Sequence, residues 1–151
     1  MRNRFRFATL AGVLALAGHL LAGGFYLQLG NPEASAEARA ANAVLTIRAT
    51  GCPDPATAKM RGNAIGMVNG RSERIPLQFT PLSQPGWFAL AQQWPREGKW
   101  VIELVGTAKK VGTADMVTHT LVTAGPEGVN RLHPKSSYQA FSAEAISAML
   151  R

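Results

Sequence analysis

The chain has 151 residues, 46% of them apolar and 17% charged, with a formal net charge of +7. That is one domain's worth of chain and excludes a large enzyme fold. Three Trp, two Tyr and six Phe supply material for a core, which excludes a coiled coil and wholesale disorder.

Residues 1–7, MRNRFRF, carry Arg2, Arg4 and Arg6 and no acid. Residues 8–22, ATLAGVLALAGHLLA, are apolar apart from Thr9 and His19. A basic stretch followed by an apolar one is the pattern of an export signal. Two A-x-A peptidase sites follow, Ala34-Ser35-Ala36 and Ala41-Asn42-Ala43. The competing readings are a buried helix of a cytoplasmic protein and, ahead of it, an uncleaved membrane anchor. Residues 8–29 are long enough for a span of about 20 residues, with Phe25 and Tyr26 at the outer interface and the arginines inside. The expected division is a signal peptide or anchor with linker over 1–36, a flexible leader over 37–43, and a folded domain over 44–151. The signal and anchor readings, which lead, place that domain in the periplasm or extracellular space, free or held at the inner membrane. Cys52 has no apolar lipobox before it, so a lipoprotein is not expected. One cysteine forms no internal disulfide, and the fold must hold by its core.

From residue 44 onward the basic residues are scattered, and Lys109-Lys110 is the one adjacent pair. Nothing tracks a phosphate backbone, and no nucleic-acid partner is expected.

The mature chain reads as short strands. Residues 44–50, VLTIRAT, alternate with Leu45, Ile47 and Ala49 on one side. Gly51-Cys52-Pro53-Asp54-Pro55 stops them, because proline lacks a ladder donor. A strand over 62–68 leads to Asn69-Gly70, both tolerant of positive φ, with the connection expected to run through Ser72-Glu73. Arg74–Thr80 follows, and Pro76 inside it predicts an edge position or bulge. Trp87–Leu90 is a short apolar strand. Lys99–Val105 is the clearest of all, with Trp100, Ile102 and Leu104 on one face. Residues 114–124, ADMVTHTLVTA, are rich in β-branched residues. Residues 142–150, SAEAISAML, read as a helix capped by Ser142, with Phe141 and Ile146 placed as a hydrophobic staple.

The expected fold is all-β: a small antiparallel β-sandwich with a short C-terminal helix, preceded by the signal or anchor helix. Within residues 44–106 the run GCPDP, RGNAIGMVNGR, IPLQF, PGWFAL, WPREGKWVIEL resembles immunoglobulin-like (or transthyretin-like) sandwich modules of exported bacterial proteins. The resemblance is one of pattern over about 60 residues. It implies a non-catalytic accessory, adhesive or regulatory domain, and some such modules handle metal.

Candidate sites are few. Cys52, Met116, His119 and His133, with Met60 and Met67, are the soft groups of a hypothetical copper site. No M-x-M or H-x-H spacing supports it, and strand alternation puts Met116 and His119 on opposite faces. Buried thiol, core methionine and surface histidine are the plain alternatives. No G-x-S-x-G and no paired carboxylate point to a hydrolase. Trp94, beside Pro95 at a turn, is expected to be the most exposed of the three tryptophans. The competing role for it is a cap over the sandwich end. Pro76, Trp94 and Pro95 thus mark the expected protein contact, on an edge strand and the 92–98 loop. The expected function is non-enzymatic binding of another cell-envelope protein, without cofactor. Periplasmic copper delivery and a small hydrolase are the alternatives.

Overall fold

Alternating apolar residues leave water when two such strand faces meet. They do so in a computed structural model that describes residues 24–110, 112 and 114–151. In chain order the elements are β1 (Tyr26–Gly30), α1 (Ala36–Ala40), β2 (Ala43–Thr50), β3 (Lys59–Val68), β4 (Arg71–Pro76), β5 (Thr80–Pro81), β6 (Trp87–Ala91), β7 (Trp100–Ala108), β8 (Met116–Gly125), β9 (Gly128–Val129), β10 (Lys135–Ser137) and α2 (Ala143–Leu150). The first sheet has the order β1-β2-β6-β5. The second runs β10-β8-β7-β3-β4, with β9 paired to β8. Every pairing is antiparallel.

The core lies between the sheets. Leu45, Ile47, Phe88 and Leu90 meet Ala64, Trp100, Ile102, Leu104 and Val122 there. Trp100 is accommodated by a glycine. A β-carbon on Gly66, its partner across the β3–β7 ladder, would come within 2.6 Å of the indole. The indole N–H donates to the Glu97 carbonyl at 3.0 Å, so the largest core side chain leaves no polar atom unpaired.

The β3–β4 hairpin is tighter than expected. Asn69 and Gly70, with φ of 49° and 75°, make the whole turn, and pairing resumes at Val68–Arg71. Two residues with positive φ match the twist of the flanking strands, so no longer loop is needed. Ser72 and Glu73 therefore lie in the strand. Pro76 closes β4, which is an edge strand as its proline required. Leu77 continues past it with one bond to the Gly62 carbonyl (3.0 Å) and is buried.

The largest difference lies upstream. Among the described residues the fold already includes β1, upstream of residue 44. Tyr26–Gly30 pairs with Thr46–Thr50, and Phe25 and Leu27 belong to the core. Residues 36–40, expected in the linker and leader, form α1, capped by the Ser35 hydroxyl, which accepts from the Ala38 N–H at 3.2 Å. The Ala-rich composition of 31–43 hid this turn of helix, because alanine has no amphipathic signature of its own. The signal stretch expected over residues 8–22 lies outside the described residues, whereas the anchor expected over 8–29 reaches into them, and there Tyr26–Gly30 is strand. Among the described residues no helix is long and apolar enough to cross a membrane.

Helix α2 forms where expected. Ser142 Oγ accepts from the Ala145 N–H at 3.1 Å, and Phe141 packs in one cluster with Ile146, Ile65, Val101 and Leu121. Those strand residues lie on the outer face of the second sheet. β7 is consequently buried on both sides, by the first sheet within and by α2 without, which is why nearly all of Trp100–Ala108 is hidden from water.

Candidate protein-contact face

The soft groups divide between two environments. Cys52, Met60 and Met116 pack against the inter-sheet core. His119 points to the opposite side of β8 from Met116, as strand alternation required, and His133 is exposed after β9. Met67 is exposed beside the hairpin turn. The core-packed sulfurs, the exposed Met67 and His133, and His119, buried on the outer face of the second sheet, do not converge. Burial pushes the Cys52 thiol up, its own backbone hydrogen bond opposes this, and the nearby Asp54 carboxylate adds to the rise. Among the described residues no three His, Cys, Asp or Glu side chains are grouped to hold an ion.

The expected contact residues also separate. Trp94 is 5% exposed and lies in the core cluster, so it caps the sandwich instead of facing a partner. The 92–98 loop is pulled down over it. Gln93 Nε2 donates to the Gln78 carbonyl (2.8 Å) while Gln93 Oε1 accepts from the Gln78 N–H (2.8 Å), and Gln92 Nε2 donates to the Trp94 carbonyl (3.1 Å). A polar neighbourhood in the sequence suggested exposure. Those same glutamines instead satisfy the backbone around a buried indole. Pro95 and Pro76 are exposed. The edge that carries Pro76 also carries exposed Arg71, Glu73 and Arg74. Charge and proline are the usual means of blocking strand addition.

A different surface has the composition of a contact. On the outer side of the first sheet, Gln28, Arg48 and Trp87 stand in one row across β1, β2 and β6. The Arg48 guanidinium lies 5.4 Å from the centre of the Trp87 ring, a cation–π contact that holds both groups in place. Tyr26, on the same side of β1, is 42% exposed. Strand parity explains the arrangement: Leu27, Ile47 and Phe88 turn inward, so their neighbours must turn outward. At the other end of this face α1 packs on β2, and Ala38, Thr46 and Ala89 are buried. Between the two ends is a cavity of about 270 Å³ lined by Asn31, Ser35, Glu37, Thr46, Ser83 and Trp87. Glu37 Oε2 accepts there from the Ser83 hydroxyl (2.9 Å) and N–H (3.2 Å), pinning α1 to the β5–β6 loop.

A second polar group sits on the outer face of the second sheet. Glu103 Oε2 accepts from Arg74 Nη1 and Asn63 Nδ2, each at 3.0 Å. His119 lies on the same face, diagonal to Glu103 across β7–β8, with its Nδ1 buried and unpaired among the described residues. Alternation of Val101, Glu103 and Val105 could have located Glu103 in the sequence. Its partners required the β3–β7 register.

The fold and this face define a mostly-β domain of two packed antiparallel sheets with a C-terminal helix. Comparison with known protein families, curated proteins and solved structures found no match.

Proposed function

We propose that the chain is a non-enzymatic, exported binding module of the bacterial cell envelope, of the immunoglobulin-like or transthyretin-like kind, and that its partner is another envelope protein. The observation that carries this reading is the row Gln28–Arg48–Trp87, which no described helix or strand lies over, with Tyr26 beside it. Trp, Tyr and Arg are the residues that dominate interface energetics, since each joins a broad apolar surface to a polar group. Arg48, held 5.4 Å from the centre of the Trp87 ring, carries the donors that suit a partner carboxylate in bidentate fashion. The basic leader and apolar stretch of residues 1–22 support export.

The test is capture from detergent-solubilised envelopes by the wild-type protein and by the Arg48→Ala/Trp87→Ala double variant. The reading expects a partner retained by the first and lost by the second, with both proteins folded. Equal retention would remove this face from the account.

A further inference from the structure

The fold claims residues that a cleavage at either A-x-A site would discard. Phe25 and Leu27 are 2% and 4% exposed. They occupy the space over Gly106, where a β-carbon would come within 2.7 Å of Leu27 and 3.2 Å of the Phe25 ring. β1 is paired with β2 from Tyr26–Thr50 to Gly30–Thr46. A cut after Ala36 or Ala43 removes that strand, uncovers Ile47 and Ala49 along the edge of β2, and opens a void above Gly106.

The same strand weakens the anchor. A span over residues 8–29 needs Phe25–Leu29, and these belong to the sandwich. Residues 8–24 remain, interrupted by His19. As a helix they reach about 25 Å, at the shortest limit of what spans a hydrocarbon layer of about 30 Å. An export signal asks for less, an apolar stretch of about 7–15 residues followed by small residues at the cleavage site. Residues 8–18, ATLAGVLALAG, meet the first demand. Ala22-Gly23-Gly24 meets the second, with small residues at both positions that the peptidase reads.

We propose that a signal peptidase cuts this chain between Gly24 and Phe25, so that the mature protein begins on a core residue of β1. Water adds across the Gly24–Phe25 amide, leaving a carboxylate on Gly24 and an amine on Phe25. The cut precedes folding, because the Phe25 side chain is buried once β1 has paired. This inference rests on the export reading above.

The experiment is to produce the full chain with its own leader in a bacterium with the general export machinery, then measure location, intact mass and N-terminal sequence. The expected product is a periplasmic chain beginning at Phe25, and Gly24→Leu should leave a membrane-held precursor. A start at Glu37 or Val44 would overturn the inference while leaving export intact. So would a full-length wild-type chain retained in the membrane, or normal processing of Gly24→Leu. A full-length cytoplasmic product would instead overturn the export reading and this inference with it.

Discussion

The two sheets leave their outer faces in different states. On the second sheet α2 lays Ile146, Met149 and Leu150 over Ile65, Val101 and Leu121, so apolar strand residues are covered by an apolar helix face. On the first sheet, among the described residues, α1 covers only the Thr46–Ala89 end, and the rest presents Tyr26, Gln28, Arg48 and Trp87. The strands differ accordingly. β7 has large apolar residues on both sides, whereas β2 has Leu45, Ile47 and Ala49 inward but Thr46 and Arg48 outward. The patch that α2 covers is written in aliphatics. The face left open is written in aromatics and arginine, which tolerate water when alone and bury well when matched.

The tryptophans sharpen this contrast most. Trp94→Ala empties a buried site and should cost about 3–5 kcal/mol. Trp87→Ala, at a half-exposed position, should cost less than about 1 kcal/mol. Denaturant melts of the two variants check the order, and a reversal would place Trp87 in the core. Next is the covered face. Ile146→Ala should destabilise by about 2–4 kcal/mol, since it removes the one fully buried side chain of α2 from its cluster. A loss of less than about 1 kcal/mol would mean that the second sheet stands without its helix. Arg48→Ala should change stability by about 0.5–1 kcal/mol, the scale of an exposed cation–π contact. The smallest effect concerns pH. The Glu144 carboxyl is held below its usual range, first by its own backbone N–H and then by the Ser142 hydroxyl. Its contribution is present above the ordinary carboxylate value and is lost as pH falls through the lowered one. Thermal melts of wild type and Glu144→Gln should therefore differ near neutrality and converge in acid.

Much of the fold was legible because alternation of period two is hard to produce by other means. β2, β3, β6, β7, β8 and α2 lie where periodicity, the Asn69-Gly70 signal and the Ser142 cap placed them. β1 was not legible, since Phe25–Leu29 continues an apolar leader, and composition cannot say where a leader ends and a core strand begins. β9 and β10 are two and three residues long and are set by pairing with β8 alone. For the contact face, Trp94 misled because turn residues and glutamines surround it in the sequence. Arg48 and Trp87 went unnoticed as a pair because 38 positions separate them and only the β2–β6 register makes them neighbours. Met116 and His119, by contrast, were separated correctly by parity alone.

The claim that the first sheet keeps an open face for a partner is tested most directly by a photo-crosslinking residue placed at Gln28 and, in a second protein, at Ser72 on the charged β4 edge. Both positions are exposed and lie on different sheets. After irradiation of intact envelopes, the account predicts a discrete adduct with one envelope protein from Gln28 and none from Ser72. An adduct from Ser72 with none from Gln28 would contradict it and return the contact to the β4 edge around Pro76.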